Sequence, residues 1–338
     1  MRRAVGRAPG RVNLIGEHTD YNGGLALPFA LDRTTTATLT ERDDNVVRIV
    51  SGQVDEPWEG TTDDAGRASG WAAYAAGVLW ALRDEGWEVP GLDIAIESDV
   101  PLGAGLSSSA ALEVAVAVAV AGLLEHDLTD PVRRDLVRVC RRAETEVAGA
   151  PTGGLDQMAS LLCRADHALL IDFSDESTRD VPLPLTADGL AILVIDTRVH
   201  HSHADGGYSD RRAESERGDP RRLRHVRTEN DRVRDAVAAL EGSDWSGLGR
   251  LMTASHASLR DDYEVSAPEL DTAVDAALAA GALGARMTGG GFGGSAIALA
   301  RRDRVDDLSE RIAAAFADAG HRAPALLLAE PSGPAEPV

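Results

Sequence analysis

The segment from Gly10 to Gly24 concentrates residues that could bind a ligand rich in hydroxyl groups. It reads Gly-Arg-Val-Asn-Leu-Ile-Gly-Glu-His-Thr-Asp-Tyr-Asn-Gly-Gly, with Glu17, His18 and Asp20 close together. A polyol needs paired donors and acceptors, because each unpaired buried polar group costs roughly 1–3 kcal/mol. Two other interpretations remain open: a transition-metal site made of one histidine and two carboxylates, and a solvated loop.

A second segment, Pro101-Leu-Gly-Ala-Gly-Leu-Ser-Ser-Ser-Ala-Ala111, has the character of an anion-binding loop. Gly103 and Gly105 allow the backbone to turn tightly and to approach a ligand. The serines from Ser107 to Ser109 follow at the predicted start of a buried helix. Free N–H groups and the helix dipole favour a phosphate at that position. The alternative is a serine-capped helix after a glycine-rich turn.

A third segment, Thr288-Gly-Gly-Gly-Phe-Gly-Gly-Ser295, has five glycines in six positions. Such a loop is typical of a place where the backbone comes close to a ligand or to another loop. The alternative is a flexible hairpin. Because two glycine loops lie far apart in the sequence, they could close on one nucleotide from both sides.

The composition excludes several classes of protein. The chain has 338 residues and no lysine, which excludes enzymes that depend on a reactive lysine amine or on a Walker-A lysine. The formal net charge of -21 argues against a nucleic-acid partner, because phosphates would be repelled. No apolar run is long enough for a bilayer, and the N-terminus lacks an apolar signal core, so we expect a cytoplasmic protein with no membrane partner.

Hydrophobic periodicity predicts strands and helices in a mixed order without strict βαβ repetition, which favours the α+β class. We expect two domains, residues 1–165 and 166–338, and a frayed tail at Pro331–Val338. The predicted strands are Thr35–Leu39, Val46–Val50, Leu92–Ser98, His167–Phe173, Leu190–Ile195, Ser295–Ala300 and Ala325–Ala329. The predicted helices are Trp71–Arg83, Ser107–Leu124, Val132–Val147, Arg211–Glu214, Thr228–Leu240, Trp245–Asp262, Ala267–Ala280 and Val305–Ala319.

Together the three segments resemble the GHMP small-molecule kinases, and the first is similar to the sugar signature of the galactokinase branch of that family. Further similarity lies at residues 150–157, 207–212 and 224–230. The resemblance implies the two-domain α+β GHMP fold, with an active site in the interdomain cleft and a nucleotide- and sugar-binding N-terminal domain. It implies an enzyme that uses ATP and Mg2+ to phosphorylate the C1 hydroxyl of galactose, and we expect this enzyme to be a monomer. The alternatives are a related kinase acting on N-acetylgalactosamine or arabinose, and a catalytically silent sugar sensor.

The resemblance also implies roles for individual residues. Asp156 faces the reacting hydroxyl and either accepts its proton or mainly positions it, while Arg11 pairs with Asp156 and offsets charge on the migrating phosphoryl group. The implied sugar contacts are Glu17, His18, Asp20, Gly153 and Tyr208. The implied nucleotide contacts are Gly103, Gly105, Ser107, Ser108, Ser109 and Trp71. The implied magnesium ligands are Ser108 and Glu144, a sparse oxygen set that suits this ion.

Three of these interpretations have a competitor or a qualification. Trp71 could instead belong to the core face of its helix. The cluster His200, His201 and His203 could suggest zinc, but its place just before Tyr208 favours a loop on the substrate side. We expect the third glycine loop to support the site more than to contact phosphate.

Overall fold

The structure, a computed structural model, describes residues 1–199 and 204–338, except for the side chains at 204–206 and 208. In that part the strands are β1 Arg3–Asn13, β2 Leu25–Ala26, β3 Pro28–Glu41, β4 Val46–Ser51, β5 Val54–Thr61, β6 Leu92–Ser98, β7 His167–Asp172, β8 Ser177–Pro182, β9 Leu190–Asp196, β10 Gly284–Thr288, β11 Ser295–Arg301, β12 Ala325–Ala329 and β13 Glu336–Pro337. The helices are α1 Ala72–Asp84, α2 Ser108–Leu123, α3 Asp130–Arg142, α4 Leu155–Leu162, α5 Ala204–Glu216, α6 Pro220–Glu241, α7 Trp245–Ser258, α8 Pro268–Ala279 and α9 Val305–Asp318. The predicted α+β class is confirmed.

The N-terminal half is built on a mixed sheet with the order β13-β1-β3-β6-β4-β5, which α2 covers, and residues of α1 share its hydrophobic core. Strand β6 and the part of β3 from Thr35 to Thr40 alternate buried and less buried residues, a pattern typical of a sheet with helices on one face. The valines and alanines of α2 leave it without a polar face, and it is buried almost throughout. Gly6 on β1 permits this close packing, since a Cβ there would overlap the carbonyl oxygen of Ala115.

The C-terminal half is built on an antiparallel sheet with the order β10-β11-β9-β12, whose core also contains residues of α8 and α9. A separate hydrophobic cluster joins the two halves and contains Phe29, Leu106, Ile192, Val233 and Ile297. The end of β1, the loop before α2 and the loop after β10 all lie along this junction. The shared cluster therefore fixes the three segments singled out in the sequence relative to one another.

The prediction of a frayed tail at Pro331–Val338 is wrong. The backbone N–H of Ala335 donates to the carbonyl oxygen of Ser160 at 2.8 Å, Ala335 is buried, and β13 pairs with β1. The tail is held because it covers the edge of the first sheet beside α2. The boundary at 165/166 stays a prediction; just beyond it, β7 pairs back to β2 of the first half.

Within residues 1–199 and 204–338, no helix combines the length and the apolar character that crossing a membrane requires.

Candidate active site

A cavity of about 600 Å³ is lined by residues of the first and third segments, and the second segment contacts two of its lining residues, Arg11 and Asp156. We call residues 16–24 the sugar loop, residues 101–107 the phosphate loop and residues 289–294 the C-terminal glycine loop. The cavity is lined by Arg11, Glu17, His18, Asp20, Glu144, Gly149, Ala150, Pro151, Thr152, Leu155, Asp156, Ser209, Gly289 and Gly290.

Asp156 and Arg11 form an ion pair in this cavity. Arg11 comes from β1, and Asp156 lies in the first turn of α4, which begins after Gly154 in a left-handed conformation. Arg11 Nε donates to Asp156 Oδ1 at 2.7 Å, and Arg11 Nη1 donates to the carbonyl oxygen of Gly105 at 2.7 Å. Burial acts to lower the pKa of Arg11, but the charges of Asp156 and Glu17 outweigh it and the pKa is raised. A permanent cation thus connects Asp156 to the phosphate loop.

The phosphate loop leads directly into α2. Gly103 and Gly105 both have φ of 73°, which glycine adopts readily, and α2 starts at Ser108, one residue after the predicted start. The first N–H groups of α2 are therefore available near the cavity. Ser107 Oγ donates to Asp156 Oδ2 at 2.5 Å.

The C-terminal glycine loop packs against the phosphate loop. A Cβ on Gly289 would lie 3.2 Å from the carbonyl oxygen of Gly105. Ser295 Oγ, at the start of β11, donates to the carbonyl oxygen of Ala104 at 2.6 Å. These contacts join the loop to the phosphate loop, and Gly289 and Gly290 also line the cavity, so the supporting role of the loop stays a prediction.

Glu17 joins the sugar loop to the strand β10. Its carboxylate accepts the backbone N–H of Gly289 at 2.7 Å and the hydroxyl of Thr288 at 3.2 Å, and it lies 3.5 Å from Arg286 Nη1. Arg286 is completely buried and also donates to the carbonyl oxygen of Asn13 at 3.0 Å. The side chain of Glu17 therefore serves the fold as well as the cavity.

His18 is held by aromatic neighbours. Its Nδ1 lies 2.7 Å from the hydroxyl of Tyr21, and its ring lies 4.7 Å from the ring of Tyr263. Burial, followed by the charge interaction with His225, lowers the pKa of His18 to about 3. The imidazole is therefore neutral near pH 7, a form that can both donate and accept a hydrogen bond.

Asp20 lies close to Asp156. Removal from water in the cavity, followed by the negative charge of Asp156, raises the pKa of Asp20 to about 6. Gly153 makes room for this carboxylate, because a Cβ at residue 153 would overlap a carboxylate oxygen of Asp20. The cavity thus combines carboxylates, a neutral imidazole and an arginine, the donors and acceptors that a hydroxylated ligand requires.

Three polar residues of α6 support the sugar loop and were not among the predicted site residues. Glu229 is completely buried and accepts the backbone N–H of Gly16 at 3.0 Å. Asn230 accepts the backbone N–H of Leu25 at 2.8 Å, and His225 Nε2 lies 3.1 Å from the carbonyl oxygen of Glu17. Their only signal in the sequence was the similarity at residues 224–230.

Glu144 lines the cavity from a π-helical turn after α3. Its carboxylate accepts hydrogen bonds from Ser109 Oγ at 3.1 Å and from the amide of Gln157 at 2.7 Å. The same amide donates to Glu113 at 3.0 Å. Burial, followed by the charge of Asp156, raises the pKa of Glu144 to about 7. Burial, followed by the charge of Glu144, raises the pKa of Glu113 well above its ordinary value.

The site was also predicted to include Ser108, Trp71 and Tyr208. Ser108 is the first residue of α2, while the serine that contacts Glu144 is Ser109. Trp71 lies at the start of α1 and packs, partly buried, against the core under the first sheet. The side chain of Tyr208 and the histidines His200, His201 and His203 lie outside the described residues. Among the described residues no group of three or more His, Cys, Asp or Glu could hold a metal ion.

Three family models match the chain. The model described as GHMP kinases N terminal domain matches residues 73–164, and the one described as GHMP kinases C terminal matches residues 236–318. The galactokinase galactose-binding signature matches residues 2–40, which include the sugar loop and Arg11.

Curated relatives match over almost the whole chain. The galactokinase of Streptomyces coelicolor is 48% identical, with 97% of this chain and 92% of the relative covered. The galactokinase of Mycobacterium tuberculosis is 45% identical, with 94% of this chain and 95% of the relative covered.

Solved structures give the same result for the fold. Lactococcus lactis galactokinase complexed with galactose superimposes with a TM-score of 0.93 at 31% identity, covering 99% of this chain and 95% of that chain. The mevalonate kinase of Methanococcus jannaschii, 18% identical, superimposes with a TM-score of 0.75, covering 97% of this chain and 98% of that chain. The expected GHMP kinase fold is confirmed.

Proposed function

The chain belongs to the galactokinase family of the GHMP kinases, and from this premise we propose how its cavity transfers a phosphoryl group from ATP to galactose. The reaction joins the γ-phosphoryl group to the C1 hydroxyl of the sugar and releases ADP. The observation that carries the proposal is the Arg11–Asp156 pair, which lines one cavity with the sugar loop and is hydrogen-bonded to the phosphate loop at Gly105 and Ser107.

Asp156 orients the C1 hydroxyl and accepts its proton as the new O–P bond forms. Arg11 holds one oxygen of Asp156, and its contact with the carbonyl oxygen of Gly105 fixes the carboxylate relative to the phosphate loop. Its positive charge also offsets the negative charge that moves with the phosphoryl group. A fixed geometry between the two reactants supplies much of the rate enhancement in this kind of transfer.

The galactose hydroxyls bind to the sugar loop and its neighbours. Asp20 is the acceptor on the side of Asp156, and Gly153 leaves space for it. His18 is neutral and can pair with a hydroxyl in either direction. A site that pairs each hydroxyl rejects an epimer strongly, because the wrong sugar leaves buried groups unpaired. The proposed sugar contacts are Glu17, His18, Asp20, Gly153 and Tyr208.

The ATP phosphates bind to backbone N–H groups of the phosphate loop and of the first turn of α2, which replace the lysine that other kinases use. The proposed nucleotide contacts are Gly103, Gly105, Ser107, Ser108 and Ser109, with Trp71 on the adenine side.

The residues around Glu144 fit a magnesium ion. A carboxylate and serine hydroxyls make a small oxygen set, which suits an ion that takes its other ligands from phosphates and water. Glu144 and Ser108 would hold the ion, with Ser109 orienting the carboxylate. When bound, Mg2+ neutralises phosphate charge during transfer.

The test of this function is a substrate panel with ATP. Galactose, glucose, N-acetylgalactosamine and arabinose are compared by kcat/KM, and we expect galactose to have the highest value. A higher value for N-acetylgalactosamine or arabinose would replace galactose by that sugar. Galactose binding without ATP turnover would identify a sensor. We also propose that the enzyme acts as a monomer in the cytoplasm, and sedimentation at equilibrium should give the mass of one chain.

A further inference from the structure

Ser107 occupies an unusual backbone position between the phosphate loop and α2. Its φ of 60° and ψ of 46° lie in the left-handed region, which residues other than glycine adopt at a cost. It is the N-cap residue of α2, and its carbonyl oxygen accepts the first helical bond, from Ala111 at 3.0 Å. Its side chain, however, caps no N–H of the helix. A serine at this position normally stabilises its helix through that cap.

The hydroxyl of Ser107 is used for Asp156 instead. It donates to Asp156 Oδ2 at 2.5 Å, while Arg11 Nε donates to Oδ1 of the same carboxylate at 2.7 Å. The two donors come from different elements, so together they fix both the position and the rotation of the carboxylate. Ser107 is 8% exposed, so little water competes for its hydroxyl.

We propose that Ser107 is a positioning residue for phosphoryl transfer: its hydroxyl fixes the carboxylate of Asp156, and only its backbone N–H serves the nucleotide. The proposal rests on the proposed function for its kinetic consequence. The hydroxyl has one proton, and a proton given to Asp156 is not available to a phosphate oxygen. A strained backbone and a missing cap persist in a folded protein when the surroundings impose them, which is typical of functional sites.

The first test separates the effect of the Ser107 hydroxyl from the effect of its backbone conformation. Ser107→Ala and Ser107→Gly both remove the hydroxyl, but only glycine relieves the left-handed strain. We expect both variants to lose about 10- to 100-fold in kcat, the effect of one hydrogen bond to a charged group. The KM for ATP and the dissociation constant for ADP should stay near wild type. The glycine variant should have the higher Tm of the two.

Ser243 provides the matched control. It is exposed, has φ of 53° and lies in the turn between α6 and α7, outside the cavity lining. Ser243→Gly should have a higher Tm than Ser243→Ala, as at residue 107, with kcat unchanged in both.

If kcat at residue 107 followed Tm, with the glycine variant close to wild type, the role would lie in the backbone and the proposal would be wrong. A rise in KM for ATP with normal kcat would make the hydroxyl a phosphate ligand and would also overturn it.

A double-mutant cycle with Asp156→Ala shows whether Ser107 acts through the carboxylate. We expect Ser107→Ala to change the residual kcat of the Asp156→Ala enzyme by less than about twofold, because the partner is already absent. The full loss of kcat in that background would contradict the proposal.

The same double-mutant cycle can be measured on the free energy of unfolding, which does not require an active enzyme. The two substitutions should be non-additive, because each breaks the same hydrogen bond. Wild-type protein that fails to phosphorylate galactose would refute the proposed function. Additive unfolding free energies would refute the coupling between Ser107 and Asp156 whatever the substrate is.

Discussion

A carboxylate oxygen of Glu17 lies 2.7 Å from the backbone nitrogen of Gly289, so one buried hydrogen bond joins the sugar loop to the C-terminal glycine loop. Gly289 in turn packs against Gly105 of the phosphate loop. Contacts therefore run without interruption from the sugar loop through Gly289 to the phosphate loop. The three segments, which are far apart in the sequence, behave as one packed unit, and a change at Glu17 should affect all of them.

We expect Glu17→Gln to lower the free energy of unfolding by about 3 kcal/mol, because it removes the negative charge that faces the completely buried Arg286. Urea unfolding measures this loss. Galactose binding, followed by calorimetry, should weaken in the same variant because the sugar loop loses its anchor.

Glu330→Gln is the control for charge removal. Glu330 pairs with Arg302 at 2.7 Å, but both side chains are partly exposed to solvent. Loss of this ion pair should lower the free energy of unfolding by less than about 1 kcal/mol. Equal losses in the two variants would mean that Glu17 contributes no more than a surface ion pair.

Asp156→Asn should keep galactose binding and lose most of the rate. The amide has nearly the shape of the carboxylate but cannot accept the hydroxyl proton, so kcat should fall by about 10²- to 10⁴-fold. Rapid-quench turnover and calorimetric binding of galactose give the two quantities separately. Asp135→Asn, an exposed aspartate of α3 that pairs with Arg138, should leave both unchanged. Near-normal kcat in the Asp156 variant would remove this residue from the mechanism.

The loop before α2 could be predicted because glycine spacing and helix starts are local features. The phosphate loop and the start of α2, to within one residue, follow from a glycine-rich turn before an apolar run. Strand β1 could not be predicted, because Gly6, Pro9 and Gly10 interrupt its alternation and indicate a loop. Its pairing with β3 supplies the missing stabilisation.

The supporting residues could not be predicted because their burial depends on distant partners. Glu229 and His225 are four residues apart on α6, and polar residues with that spacing normally indicate a solvated face. They are buried because the sugar loop, more than 200 residues earlier in the chain, covers them. Glu113 is the single charged residue in the apolar helix α2, and its partner Gln157 is not evident from the sequence.

Galactose binding should weaken as the pH falls through about 6, because Asp20 becomes protonated there and loses acceptor capacity. The ordinary pKa of this group is 3.8, so an unperturbed aspartate would stay charged throughout this range. His18, with a pKa of about 3, keeps its neutral form and does not contribute. Calorimetric titration without nucleotide, from about pH 5 to about pH 7.5, measures the effect.

Asp20→Asn is the control for this pH dependence. It should bind galactose more weakly than wild type at neutral pH, by roughly tenfold for one lost hydrogen bond, and its affinity should be flat through pH 6. An unchanged pH dependence in this variant would assign the titration to another group.

Glu113→Gln should become increasingly more stable than wild type as the pH rises above 4.5, the ordinary pKa of this side chain. Glu113 is completely buried in α2, and burial followed by the charge of Glu144 raises its pKa, so the folded protein keeps the proton that the unfolded chain releases. The stability that this proton provides is complete below pH 4.5 and is lost as the pH rises towards the folded pKa.

Glutamine is neutral at every pH and can still accept the amide hydrogen of Gln157. The difference in unfolding free energy should therefore grow by about 1.4 kcal/mol per pH unit. Urea unfolding between about pH 5 and about pH 6.5 avoids the titration of Glu144, whose pKa is about 7. Parallel stability curves for the two proteins would mean that Glu113 is ionised in the folded state.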